Sequence, residues 1–459
     1  MDRRTFIQHS CALGATLPTL GTSLLSLASA RTAAAQSASD YKALVCILLA
    51  GGNDSYNMLL PTDPDTYATY AAIRADLALP AQDLLPIAPL NANGRSFAVH
   101  PQMAALQSLF NNGDAAMVAN VGTLLEPFDA AAVEAGRARL PVGLFSHADQ
   151  ISQWQTAVPD GRTSEGWAGR IADGLQAGNP ANGIGMNISL SGSNVFQSGQ
   201  STDTYSISAN GTGAIGINSY ADGTGFGDYR KRVLDQILAM PQPHTLRGAF
   251  SRRLRESIEN QQIFDAAMTQ AQPFDTGFSA APLSAALRQI ARVISVRDVI
   301  GNPRQTFFVT IGGWDHHDEV LNNQARMLPQ VANALAEFAQ ALKDINVFDQ
   351  VTTFTISDFG RTMTSNGRGS DHGWGGHHIV VGGQVQGQHI FGDYPTLALA
   401  NAPLDVGRGI YAPTTSIDAY FADLALWFGV APSELDRVLP NVRTFYDPLS
   451  NTPALGLFG

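Results

Sequence analysis

Aspartates stand just beyond three apolar runs of this 459-residue chain: Asp54 after 43–50, Asp315 after 305–311 and Asp358 after 351–356. A carboxylate at a strand end is placed to act on a ligand, whereas one in mid-strand would be buried at considerable cost. Histidines gather around the last two, six of the ten lying between 316 and 389. Asp315, His317, Asp358, Asp371, His372, His377 and His378 together supply imidazole and carboxylate donors, and Asp54 can complete the set from the first run. Such donors, without thiolate, suit zinc, manganese or a similar divalent metal. Seven candidates exceed the needs of one tetrahedral ion, so one or two ions with outer partners are expected.

Spacing refines the set. Asp315 and His317 are two residues apart, so an extended segment puts them on one face and leaves His316 as a neighbour. On a strand His377 and His378 face opposite sides, so one of them at most enters a given pocket; which of His372, His377 and His378 is a ligand stays open. Ser146 precedes His147 at an expected helix start, where free N–H groups favour an anion. Its hydroxyl is either a nucleophile or a plain N-cap. Arg361 either holds an oxyanion or pairs with an acid.

The elements that must position these residues alternate. Run 43–50 reads as a strand buried on both faces, ending in Gly51-Gly52-Asn53-Asp54-Ser55. Strands are also expected at 115–121, 305–311, 351–356 and 379–383, and helices at 101–112, 147–156, 318–345, 416–429 and 432–438. The fold class is therefore α/β, a doubly wound and mostly parallel sheet with helices on both faces. From 179 to 227 Gly, Ser, Asn and Thr dominate, which predicts an insertion of short strands and loops; a helical segment at 228–300 follows. There Arg252, Arg253 and Arg255 read as solvated helix surface.

The first 35 residues read as an export leader, leaving 36–459 as a single domain. Arg3-Arg4 precede a weakly apolar stretch at 12–30 and the small-residue patterns Ala28-Ser29-Ala30 and Ala33-Ala34-Ala35. The paired arginines resemble the twin-arginine signal, which implies passage through the Tat translocase to the periplasm or beyond. Pro18, Gly14 and Gly21 interrupt the stretch, so no stable membrane anchor is expected. Net charge is -11, and about -13 without the leader (38 acidic against 25 basic residues), which disfavours nucleic acid and anionic membrane as partners. Cys11 lies in the leader, so Cys46 has no disulfide partner in the mature chain and reads as core.

Gly-Gly-Asn-Asp-Ser-Tyr-Asn at 51–57, His100-Pro101, Ser146-His147-Ala148-Asp149-Gln150, Gly313-Trp314-Asp315-His316-His317, Ser357-Asp358-Phe359-Gly360-Arg361-Thr362 and Gly369-Ser370-Asp371-His372-Gly373 occur in order. With the leader, this combination resembles the bacterial family called domain of unknown function 1501, grouped with the alkaline phosphatase and sulfatase superfamily. The resemblance implies an alkaline-phosphatase-like core with a divalent-metal site at the strand ends. It implies Asp54 as first-strand ligand, Ser146 at the nucleophile position, Asp315 and His317 as a later ligand pair, Asp358 as the next strand-end aspartate, and His372 or His378 as the final histidine. Two departures stand out: Phe359, not histidine, follows Asp358, and no Cys/Ser-x-Pro-x-Arg segment typical of sulfatases is present. The expected function is metal-dependent hydrolysis of a small-molecule phosphate or related ester. The alternative is a non-catalytic periplasmic binding or assembly protein whose insertion contacts a protein partner.

Overall fold

The run Lys-Ala-Leu-Val-Cys-Ile-Leu-Leu forms strand β1 (Lys42–Leu49), and its side chains divide between two cores. Ala43, Val45, Ile47 and Leu49 enter one, while Leu44, Cys46 and Leu48 enter the other. A strand with apolar residues at nearly every position is stable only where both faces are covered. Here helices Ala104–Asn111, Pro282–Ser295 and Val320–Asp344 pack on one face, and Trp167–Leu175 and Ile417–Phe428 on the other. Burial pushes the Cys46 thiol well up from its ordinary pKa, as befits a core residue.

The computed structural model describes residues 41–175, 184–217, 220, 223–242 and 244–459. The expected leader, with its twin arginines, lies outside the described residues, as do parts of the expected insertion (179–183, 218–219 and 221–222). Beyond β1, the strands are β2 (Leu59–Pro61), β3 (Leu85–Ile87), β4 (Phe97–Val99), β5 (Ala115–Gly122), β6 (Asn187–Ser189), β7 (Tyr205–Ser206) and β8 (Arg304–Ile311). They continue with β9 (Val351–Ser357), β10 (Arg361–Ser365), β11 (Ser370–His372), β12 (Gly376–Val381), β13 (Ile390–Phe391) and β14 (Thr415–Ser416).

Among the described residues the main sheet runs β13-β5-β12-β9-β1-β8-β6-β7, with β14 beside β5. It is mostly parallel; β12 alone runs antiparallel to its neighbours β9 and β5. The α/β reading holds in this coarse sense, as a mixed and mainly parallel sheet. The Gly/Ser/Asn-rich segment does not stand apart from it: β6 and β7 extend the sheet beyond β8. Buried Ile188, registered against Phe307, gives that polar stretch its place in the core.

Register decides where the chemistry falls. Leu49 lies opposite both Ile311 and Ser357, so β1, β8 and β9 end at one level. Whatever follows these strands emerges at a single sheet edge. The antiparallel β12 starts from that same edge, which brings in the segment just before it.

Asp418, in the first turn of Ile417–Phe428, is fully buried; one carboxylate oxygen has no partner and the other accepts from Asn441 Nδ2 at 3.4 Å. Burial raises its pKa to about 7. The folded protein therefore keeps a proton there that the unfolded chain releases near pH 4. The stability associated with that proton is fully present below about pH 4 and is lost as pH rises to about 7. Asp418→Asn should raise stability by roughly 2–4 kcal/mol at pH 8 and by much less at pH 4.5, since each tenfold difference in proton affinity between the folded and unfolded chain is worth about 1.4 kcal/mol. Denaturant melts of both proteins at the two pH values test this.

Candidate metal centre

Four side chains meet at the sheet edge. His147 Nε2 lies 3.6 Å from Asp315 Oδ2, and His372 Nε2 lies 3.5 Å from Asp315 Oδ1. His317 Nε2 is 3.1 Å from Asp315 Oδ1 and 3.0 Å from His372 Nε2. The ligand atoms of His147, Asp315 and His372 all lie within 4.8 Å of one another, and His317 lies beside them, in contact with Asp315 and His372.

The opposite side of each imidazole is anchored. His147 Nδ1 donates to Asp358 Oδ2 at 2.7 Å, His372 Nδ1 to the Phe145 carbonyl at 2.8 Å, and His317 Nδ1 to Asp371 Oδ1 at 3.3 Å. A carbonyl or carboxylate only accepts, so each Nδ1 carries a hydrogen and each ring turns Nε2 inward, where the neutral form offers a lone pair. Phe145 adopts φ 72°, a strained conformation for a bulky residue, in directing its carbonyl at His372.

Local structure explains the placement. Ser146 caps helix His147–Thr156, its Oγ accepting from Asp149 N at 3.4 Å, so His147 is the first helical residue. Two turns later Trp154 Nε1 donates to the Asp358 carbonyl at 3.1 Å, fixing the helix to the end of β9. Gly51, at φ 122°, makes the turn after β1; a Cβ there would lie 2.5 Å from Asp315 N. Its own N–H donates to Asp358 Oδ1 at 2.9 Å. Phe359 closes one side of the cluster, its ring 4.9 Å from that of His147 and 4.5 Å from that of His372.

Arg361 is completely buried and its hydrogens are spent within the protein. It donates to Gly52 O at 2.9 Å, Ser370 O at 3.0 Å and Gly51 O at 2.6 Å, and it pairs with Asp315. It is a strut between the ends of β1, β8 and β10, and it pairs with an acid, Asp315, the second of its two expected roles. Partial burial opposes the Asp315 charge, but the bond from Arg361, with Arg361, His317 and His147 nearby, holds its carboxyl below the usual range. Burial lowers the His372 pKa, against the Phe145 carbonyl and with Arg361 and the two histidines adding to the shift, so its ring is neutral at neutral pH.

The candidate ligands thus fall into three sets. Asp315, His317 and His372 converge. Asp358 and Asp371 stand one step out and orient the imidazoles; Asp371 is also held by Asn366 and Arg408. Asp54 and His378 are elsewhere. Asp54 is fully buried, with Oδ2 at 2.8 Å from Arg74 Nη2 and 2.7 Å from Ser370 Oγ. It departs from the expected ligand role because helix Pro64–Arg74 brings a guanidinium to meet it. His377 and His378 do face opposite sides of β12: His377 packs on Tyr56 and Tyr394, His378 on Trp154 and Tyr420. Burial lowers both to a pKa of about 3, as expected of neutral core rings. Sequence reasoning passed over His147 as a donor, although it stands first in the helix that Ser146 caps.

The donor set fits a divalent cation. In their neutral forms the three rings present acceptor nitrogens beside a carboxylate, as close as 3.0 Å, and these repel one another without a positive charge between them. Ligands about 2.0–2.1 Å from a tetrahedral ion lie roughly 3.4 Å apart, inside the 3.0–3.6 Å that separates Asp315 from each of the three rings and His317 from His372. Outer carboxylate and carbonyl partners on the distal ring nitrogens are the usual support for metal-binding histidines.

Fold and site together define an α/β protein with an imidazole–carboxylate cluster at the carboxyl edge of its parallel strands. The chain belongs to the family described as Protein of unknown function (DUF1501), which matches residues 41–407 and so takes in every residue of the cluster. None of the curated proteins compared with the chain matches it.

Proposed function

We propose that this protein is an exported hydrolase, dependent on a divalent metal and acting on a phosphate or related ester, in the manner of the alkaline phosphatase and sulfatase superfamily. The observation that carries the proposal is the convergence of three Nε2 atoms on Asp315, each ring fixed by an acceptor-only partner at Nδ1. His147, His317, His372 and Asp315 would hold zinc, manganese or a similar ion. Such an ion supplies a Lewis acid that polarises an ester oxygen. Around it the chain supplies rigidity: Asp358, Asp371 and the Phe145 carbonyl set the tautomers, Arg361 keeps Asp315 charged and in place, and Phe359 shields one flank. Ser146 already uses its hydroxyl to cap a helix, which favours a solvent water over Ser146 as nucleophile. The twin-arginine leader supports work in the periplasm or outside the cell, and no described helix is long and apolar enough to cross a membrane.

Metal analysis and an ester panel test the proposal. The expected result is about one ion per chain, with turnover of a phosphomonoester, phosphodiester or sulfate ester that a chelator abolishes. Protein that takes up neither zinc nor manganese on titration would overturn it. Metal uptake without turnover of any ester would favour the non-catalytic binding role instead. Asp358→Asn removes the charge behind His147 but touches none of the inward-facing donors. It should weaken metal affinity by about 10–100-fold with the fold intact, as measured by titration against a competing chelator.

A further inference from the structure

Helices Gly225–Ala239 and Thr245–Met268 form a hairpin whose charge opposes that of the rest of the chain. Residues 225–268 carry seven basic side chains against five acidic ones, a local +2 in a chain of net charge -11, and all seven basic ones lie in the part at 225–255 around the turn, where two acidic residues accompany them. The same hairpin exposes large apolar groups: Phe226, Tyr229, Ile237, Met240, Leu246 and Phe250 are each about half exposed or more. Phe226, Tyr229, Val233 and Ile237 recur at three- and four-residue spacing and so share one face of the first helix. With Ile217 and Tyr220 they line a shallow apolar groove. Leu246 and Phe250, one turn apart, open the second helix just beyond Met240, so apolar groups continue around the turn of the hairpin. The hairpin is tied together: Arg255 Nη2 donates to the Leu238 carbonyl at 2.5 Å.

Exposed aromatic and long aliphatic side chains interleaved with arginine mark a helix that lies in a membrane interface, apolar face down and cations among the headgroups. We propose that this hairpin docks the protein on an anionic lipid surface. Charge complementarity selects that occupant. The hairpin attracts a negative surface within a Debye length of about 10 Å, while acidic groups farther away are screened. The net charge of the chain, which argues against anionic membrane, thus conceals a local patch of opposite sign. Arg252 and Arg253 are exposed, as expected of solvated helix surface, but they sit beside apolar groups that solvent does not favour.

Flotation of the full chain with phosphatidylcholine vesicles, with and without phosphatidylglycerol as about a third of the lipid, tests the proposal. The protein should float with the anionic vesicles and not with the neutral ones, and added salt should release it. Arg247→Gln with Arg252→Gln should weaken association about 10–30-fold. Phe226→Ser with Phe250→Ser should weaken it at least as much, and both pairs, being exposed, should melt at the temperature of the parent protein. Equal flotation with both vesicle types, or with neither, would overturn the proposal. So would a dimer in solution that the phenylalanine pair disrupts while vesicle binding is absent, because the face would then belong to a second copy of the chain.

Discussion

Asp315→Ala is expected to abolish metal binding at the proposed centre. Every inward-facing nitrogen of the cluster lies close to this carboxylate: His147 at 3.6 Å, His317 at 3.1 Å and His372 at 3.5 Å. Removing it deletes the one negative charge among the inner donors and leaves three imidazoles facing one another. The loss of affinity should exceed the roughly 10–100-fold that an outer partner costs, so that bound metal falls from about one ion per chain to almost none. The fold should survive, because Asp315 is half exposed and Arg361 keeps its bonds to the carbonyls of Gly51, Gly52 and Ser370. Elemental analysis beside a circular dichroism spectrum separates the two effects. An alanine variant that retains its ion would move the centre away from Asp315 and sink the assignment.

Asp54→Ala should do the reverse, unfolding the protein more easily while leaving metal content unchanged. Asp54 and Arg74 are both fully buried and joined at 2.8 Å, so the alanine strands a guanidinium in the interior. Breaking such a pair typically costs about 3–5 kcal/mol, because the remaining charge has no compensation. Replacing both partners, Asp54→Ala with Arg74→Met, should recover much of that loss, since no orphan charge remains. Denaturant unfolding of the single and double variants checks the prediction. Metal loss with unchanged stability in Asp54→Ala would return this residue to the ligand role the family resemblance implies.

These two aspartates show what was legible in the sequence. Both follow apolar strands and look alike in one dimension. The strands themselves were plain, because β1 is a run of mainly apolar residues, β8 and β9 are rich in Thr, Val, Ile and Phe, and glycine or acid follows closely on each. Asp315, His317 and His372 were recoverable from residue type and the two-residue spacing. What separated Asp54 from them was Arg74, twenty residues on, in a helix where arginine ordinarily reads as surface. No local pattern announces that such a side chain turns inward. His147 was hidden differently: its neighbour Ser146 drew notice as an N-cap, while the distance to Asp358, 211 residues along the chain, closes only in the folded sheet. The sheet order itself, with β12 inserted antiparallel between β5 and β9, leaves no mark on any single segment.

The pairing of β1 also has a temporal side. Ala43 is registered against Gln305 and Val351, 262 and 308 positions later. At about 5–20 residues per second, a ribosome releases those partners roughly 15–60 s after the first strand emerges. For that interval a strongly apolar segment has neither neighbour, and closure over such long loops is slow. Production of this protein is therefore most exposed to aggregation during synthesis, and a holding chaperone that masks residues 42–49 would protect it until the last third of the chain arrives.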